Sequence, residues 1–424
     1  MNRRIVLVLL VSTLACCGRV FADVRVPFGT RRLPIPGEYF GLHIHRAERD
    51  DGRHPETSWP AEPFGSWRLW DAGVSWPALE PNRGQWDFTV LDRYVTLAES
   101  AHVEILLPLG LSPAWASARP TEPSAYRPGY ASEPRDTADW RVYVRTVASR
   151  YRGRIKAYEI WNEPNLPRFY SGTTTRIVQL TRMAHQELKG IDSSIVLVSP
   201  SATGRQGIGW LDDFIHQGGT RWCDVIGFHA YVGQREWPEA MAELIWEVRR
   251  CLDRNGLMSV PLWNTETGWQ ITGLSRDSVD VGADAVDGLD EETAAAFVGR
   301  AMVLGWVAGA DRFYWYAWDN ARMGLVLTDG KTETPAARAF GRVTRWLTGA
   351  VIESHKVNSK RVHRVHLKLR DGRKGLIVWT EGVALFRVPS AYRQYCDLIG
   401  DVKLVSSAKD RCIPIDSRIV FLEE

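Results

Sequence analysis

Two short motifs carry the residues best suited to chemistry. Trp161-Asn162-Glu163-Pro164-Asn165 and Trp263-Asn264-Thr265-Glu266-Thr267-Gly268-Trp269 each set one glutamate among indoles and amides. A lone glutamate in such a frame is ordinarily a structural or solvated charge. Two in matching frames point to a working pair. One carboxylate can attack an acetal carbon while a neighbouring carboxylic acid protonates the leaving oxygen. The two tasks require opposite protonation states, so their environments must separate the pair. No Cys-x-x-Cys or His-x-x-x-His spacing is present, so no metal is expected, and this chemistry needs no organic cofactor.

The elements that must position these glutamates follow from periodicity. Eight apolar β-type runs are read at Phe40–His45, Ser66–Leu69, Val103–Leu109, Ile155–Trp161, Ile195–Ser199, Val225–His229, Pro261–Thr265 and Arg312–Trp315. Helix-period stretches lie between most of them: Thr89–His102, Ala138–Tyr151, Thr175–Lys189, Glu239–Asn255, Glu291–Gly309 and Pro335–Thr348. Continuous apolar strands alternating with helices imply a parallel sheet covered on both faces, here a (β/α)8 TIM barrel. A doubly wound open sheet is the alternative, but no Gly-x-Gly-x-x-Gly turn or Walker loop appears. Glu163 and Glu266 then follow the fourth and seventh strands, at the barrel face that holds active sites.

From about Gly349 helical periodicity stops. Val362–Leu369, Gly375–Thr380, Val383–Val388, Asp401–Val405 and Arg418–Leu422 read as short strands of a C-terminal β-sandwich. The expected organisation is a signal peptide over 1–22, a catalytic barrel over 23–348 and an accessory sandwich over 349–424. Two long loops interrupt the barrel: Pro113–Pro134, rich in proline and aromatics, and Gln270–Asp290, with five aspartates read as a solvated lid in preference to a calcium loop.

Composition bounds the rest. The chain has 424 residues with 53 Lys+Arg against 50 Asp+Glu, a net charge of +3, which argues against a strongly basic nucleic-acid binder. Its 19 Trp suggest flat recognition surfaces as well as core. Arg3, Arg4 and the apolar run Ile5–Leu14, with Val20-Phe21-Ala22 as a cleavage site, read as an export signal, with a lipoprotein site around Cys16 less favoured. No later segment reaches membrane-span length, and a periplasmic or extracellular monomer is expected. After export, Cys223 with Cys251 and Cys396 with Cys412 are candidate disulfides by neighbourhood, with buried thiols as the alternative.

Glu159-Ile160-Trp161-Asn162-Glu163-Pro164-Asn165 resembles the acid/base signature of the clan A glycoside hydrolases. It is most similar to family 39, the β-xylosidase and α-L-iduronidase family, and to its exopolysaccharide-associated relatives. Arg68-Leu69-Trp70-Asp71, Trp76, Glu80-Pro81, Gly84 and Trp86-Asp87-Phe88 are similar to the strand-two region of that group. So are Leu109-Gly110 with Pro113-Ala114-Trp115-Ala116 at the exit of strand three, and Phe228-His229-Ala230-Tyr231 on strand six. Lys156 and Tyr158 depart from the Trp and Phe usual there, so specificity for xylose or iduronate does not carry over.

The resemblance implies a retaining glycosidase acting on a β-linked polysaccharide or oligosaccharide. Glu266 would be the nucleophile and Glu163 the acid/base. Arg68 would hold Glu266 ionised, Tyr231 would position it, Asn162 would bind a sugar 2-hydroxyl, and His229 would orient Glu163 or touch sugar hydroxyls. Trp115, Trp269, Trp315 and Trp318 are candidate stacking platforms for sugar rings. A non-catalytic polysaccharide-binding protein and a transglycosylase on the same fold are the competing readings.

Overall fold

The computed structural model describes residues 24–25, 33–49, 52, 55–274, 288–405 and 411–424. The leader and most of the aspartate-rich loop lie outside the described residues. The short strand β1 (Val24–Arg25) precedes the barrel. The barrel strands are β2 (Phe40–Leu42), β3 (Ser66–Arg68), β4 (Glu104–Leu109), β5 (Ala157–Ile160), β6 (Val196–Val198), the two-residue β7 (Ala202–Thr203), β8 (Ile226–His229), β9 (Leu262–Thr267) and β10 (Arg312–Trp315). They form one parallel sheet in the order β6-β5-β4-β3-β2-β10-β9-β8-β7. Parallel bridges Val198–Val225 and Asn162–Ser201 join its two ends, so the sheet curls into a (β/α)8 barrel.

Side-chain alternation divides the barrel into two cores. Leu106, Ala157, Val198, Val225, Trp263 and Tyr314 fill the interior. Their sequence neighbours, such as Ile105, Leu107, Tyr158, Leu197 and Phe313, pack outward against the helices. Those helices are α2 (Thr89–Ser100), α3 (Thr137–Arg150), α4 (Thr174–Ile191), α5 (Gly204–His216), α6 (Pro238–Arg254), α7 (Glu291–Val307) and α8 (Pro335–Leu347), after a single turn α1 (Trp76–Leu79). Asp136, Thr173, Asp290 and Thr334 cap α3, α4, α7 and α8 by accepting a backbone N–H in the first turn. Helix α5 is absent from the periodicity reading because Gly204, Gly207 and Gly209 depress its helical signal.

The C-terminal antiparallel sheet is built from β11 (Val351–Val357), β12 (Val362–Lys368), β13 (Lys374–Thr380), β18 (Val420–Glu423), β15 (Gln394–Asp397) and β16 (Lys403–Leu404) in that spatial order, with β1 beside β11. A two-stranded ladder of β14 (Ala384–Arg387) and β17 (Cys412–Ile415) accompanies it, consistent with a β-sandwich. Helix α7 is buried from Ala294 to Val307, lying between the barrel and this sheet. A helix apolar on every side is buried on every side. Ile352, Val365, Ile377, Leu398 and Phe421 of the sheet share one core with the barrel helices.

The disulfide expectation is corrected: all four described cysteines are thiols. Cys223 Sγ lies 3.7 Å from the Gly219 carbonyl, while Cys251 on α6 meets Asp212 of α5 at 3.5 Å. Cys396 lies in the large sheet and Cys412 in the separate ladder. No described helix is long and apolar enough to cross a membrane.

Candidate active site

Strand β3 ends on Arg68, wholly buried inside the barrel. Its guanidinium is engaged on three sides. Nε donates to Glu159 Oε2 at 2.5 Å, Nη1 to Glu266 Oε2 at 2.8 Å and Nη2 to Asn162 Oδ1 at 2.8 Å. The other Glu159 oxygen accepts from the Ser201 hydroxyl and from Thr265 Oγ1. Space here is tight. A Cβ at Gly227 would fall 2.1 Å from Ser201 Oγ.

Local backbone departures aim the two glutamates. On β9 the pairing with both neighbouring strands slips, against β10 between Phe313 and Trp315 and against β8 between Phe228 and His229. Such a bulge breaks strict alternation. Thr265 and Glu266, which a regular strand would send to opposite faces, both reach the interior cluster. After β5, Trp161 and Glu163 sit in the left-handed region at φ 57° and 46°, and Asp71 does so after β3 at 57°. Each such non-glycine residue costs about 1–3 kcal/mol, so the surrounding structure must impose the geometry.

The result is a paired carboxyl site. Tyr231 OH donates to Glu266 Oε1 at 2.9 Å. His229 Nδ1 lies 3.0 Å from Glu163 Oε1 and 3.8 Å from Glu266 Oε2. One oxygen of each glutamate lies within 4.8 Å of the other. Burial pushes the Glu266 carboxyl up to about 7, against the pull of His229 and Arg68. Burial also raises Glu163, opposed by its hydrogen bond with Thr203 and by Arg68. His229 is pushed down to about 4 by burial, so it is neutral at neutral pH. Arg68 therefore does not hold Glu266 low, as the residue types alone suggest. Burial outweighs it, and the guanidinium is shared with Glu159 and Asn162.

Glu163, Glu266, Asn162 and Tyr231 line one cleft of about 590 Å3, with Arg68 and His229 directly behind them. The predicted tryptophan platforms are elsewhere. Trp269 and Trp315 stack on each other at 5.9 Å in the outer core, and Trp318 is equally buried. Half-buried Trp115 packs on Trp76 and donates to the Glu80 carbonyl. The error is one of parity. Tyr314 points into the barrel, Trp315 points out, and Tyr316 returns to the cleft.

Besides Tyr231, the aromatic residues that do line the cleft are Trp70, Tyr126, Phe169 and Tyr316. Asp71 accepts from Tyr126 OH at 2.7 Å and from Tyr316 OH at 2.8 Å, tying the loop after β4 to the end of β10. In the sequence Trp70 is signalled by the Arg68-Leu69-Trp70-Asp71 motif, Tyr126 by the aromatic content of the Pro113–Pro134 loop and Tyr316 by parity counting past Trp315, whereas Phe169 carries no such signal.

The family model for glycosyl hydrolases family 39 matches residues 79–279, a span that holds both glutamates. Over this span the chain is similar to the family 39 glycosyl hydrolases. A β-xylosidase of Geobacillus stearothermophilus is 25% identical over 206 residues, 43% of this chain and 40% of that protein. A second, from Caldicellulosiruptor saccharolyticus, is 27% identical over 41% of this chain and 40% of its own length. The chain thus spans about two fifths of the curated relatives it matches. Among solved structures, a family 39 glycoside hydrolase from Bacteroides cellulosilyticus superposes with a TM-score of 0.71 at 15% identity, covering 92% of this chain and 81% of that one. A Caulobacter crescentus family 39 β-xylosidase gives 0.60 at 16% identity over 91% and 99%. These likenesses show the fold, a (β/α)8 barrel with an accompanying β-domain.

Proposed function

We propose that this family 39 relative is a retaining glycoside hydrolase that cleaves a β-linked polysaccharide or oligosaccharide by double displacement. The observation that carries the reading is the separation of the two carboxyl groups, with an oxygen of Glu163 and one of Glu266 within 4.8 Å. Retaining enzymes place the pair about 5–5.5 Å apart, whereas inverting enzymes leave about 6.5–9.5 Å for an intervening water.

Glu266 attacks the anomeric carbon as a carboxylate. Glu163, as a carboxylic acid, gives its proton to the departing glycosidic oxygen. A water then enters, Glu163 takes its proton, and the hydroxyl displaces Glu266 to release the sugar. The pair keeps one proton near neutral pH because two buried carboxylates this close repel. The reactive form of the pair carries that proton on Glu163, with Arg68 and Tyr231 donating to the ionised Glu266 and aligning it for attack. Trp70, Tyr126, Phe169 and Tyr316 supply the apolar walls against which pyranose C–H faces pack. Both glutamates are present and connected, which supports an enzyme over a binding protein on the same scaffold. The similarity to exopolysaccharide-associated relatives makes such glycans the first to try. The basic, apolar leader supports export, which N-terminal sequencing of the mature protein checks.

The deciding experiment is proton NMR of the first-formed product during cleavage of an aryl β-glycoside. The β-anomer is expected to appear first, and initial release of the α-anomer overturns the reading.

A further inference from the structure

Glu159 touches no cleft surface and is not needed as nucleophile or acid/base, yet it is the closest partner of Arg68. Three strands converge on it. Arg68 of β3 donates at 2.5 Å, Ser201 just before β7 donates from the side, and Thr265 of β9, the residue before Glu266, donates at 3.0 Å. The side chain is wholly buried, and both its oxygens are occupied. Arg68 has only one orientation that serves Glu159 through Nε while leaving Nη1 for Glu266 and Nη2 for Asn162.

We propose that Glu159 is a positioning residue for the Glu266 carboxylate, acting through Arg68. It fixes the Nε edge of the guanidinium so that Nη1 meets Glu266, and it takes up charge that would otherwise bind Glu266 tightly. A carboxylate locked in an undivided ion pair is stabilised in the ground state and attacks poorly. Sharing the guanidinium leaves Glu266 aligned and reactive. This agrees with the upward shift of Glu266, which persists although a guanidinium nitrogen lies 2.8 Å away. The inference rests on Glu266 being the attacking carboxylate.

The charged and titratable groups around Glu266 come from every strand packed against it. They are His43 just after β2, Arg68 and Asp71 at the end of β3, Glu159 and Glu163 at the end of β5, His229 and Tyr231 at the end of β8, and Tyr316 after β10, with Tyr126 from the loop after β4. Glu159→Gln removes one negative charge from this set and keeps the shape. Arg68 then acts undivided on Glu266, so the acidic limb of kcat/KM moves down by about one pH unit. Ser201→Ala has the opposite sign. Without that donor the Glu159 charge draws harder on Arg68, and the limb moves up by about a few tenths of a unit.

The test measures both variants and wild type, as full chains, in two ways. One is the pH profile of kcat/KM on a cleaved aryl β-glycoside. The other is a carbon-13 NMR titration of labelled glutamate carboxyls, with Glu266 assigned through Glu266→Gln. The titration needs no turnover, so an absence of glycosidase activity defeats the functional reading without deciding this one. Thermal midpoints are recorded alongside. Opposite shifts at Glu266 in the two variants support the proposal. If Glu159→Gln does not fold, the upward shift in Ser201→Ala carries it alone. Lowered midpoints with Glu266 unmoved would make Glu159 a structural residue and overturn the proposal.

Discussion

Two arginine–glutamate clusters among the described residues differ in charge balance and access. At the face between the barrel and the β-domain, Arg300 of α7 pairs with Glu239 in the first turn of α6, which also accepts from Trp379 Nε1 at 2.9 Å. Arg361 pairs with Glu381 beside them, and His363 stacks on Trp379 at 4.5 Å. Two guanidinium groups there meet two carboxylates. In the barrel, the single buried guanidinium of Arg68 faces Glu159 and Glu266, with Glu163 and Asp71 close by. Both clusters hold a buried neutral histidine, His363 pushed down to about 2 and His229 to about 4. The barrel cluster opens onto a cleft, and there burial raises both Glu163 and Glu266. A balanced network between two domains holds elements together. An acidic surplus at a cavity wall keeps a proton available for chemistry.

Substitutions should separate the two clusters. The largest effect is expected from Glu266→Gln, which removes the attacking oxygen and should lower kcat by at least about 10⁴-fold while the protein stays folded, as checked by steady-state kinetics and circular dichroism. Glu163→Gln should lower kcat/KM by about 10²–10⁴-fold on substrates with alkoxide leaving groups. The loss should shrink for nitrophenolate, which departs without a proton, and an equal loss on both would contradict the acid role.

At the other cluster, Glu239→Gln leaves Arg300 buried without its counter-charge. Denaturant unfolding should show about 3–5 kcal/mol less stability, with kcat/KM at 25 °C unchanged. A smaller effect concerns pH. Glu266 is raised in the folded state from 4.5 to about 7, so its protonated form is favoured by folding. The stability this contributes is fully present below pH 4.5 and lost as pH rises through about 7. Thermal midpoints of Glu266→Gln should therefore fall less across that window than those of wild type, and parallel profiles would count against a raised Glu266.

Much of this arrangement is legible in the residues themselves. Seven of the eight apolar runs contain a barrel strand and the eighth, Pro261–Thr265, overlaps β9, because a parallel strand covered on both faces is largely apolar. Glu163 and Glu266 stand out through their aromatic and amide frames. What failed was orientation. Trp315 and Tyr316 are adjacent aromatics, and only the strand's alternation decides which one faces the cleft. The β9 bulge that brings Thr265 and Glu266 to the same side leaves no mark in composition. Glu159 was visible only as part of a motif, since its importance lies in contacts with Arg68, Ser201 and Thr265 from three other strand ends. The strands β11, β15 and β17 are not legible because their mixed burial gives no clean alternation.

The central claim is that Glu266 forms a covalent bond to the sugar, and trapping tests it most directly. The wild-type protein and Glu266→Gln are incubated with a panel of 2-deoxy-2-fluoro β-glycosyl fluorides, then measured by intact-mass and peptide mass spectrometry. The account predicts the mass of one fluoroglycosyl unit on the wild type, located on Glu266, and none on the variant. A fluoroglycosyl unit on any other residue, or equal labelling of the variant, would contradict it.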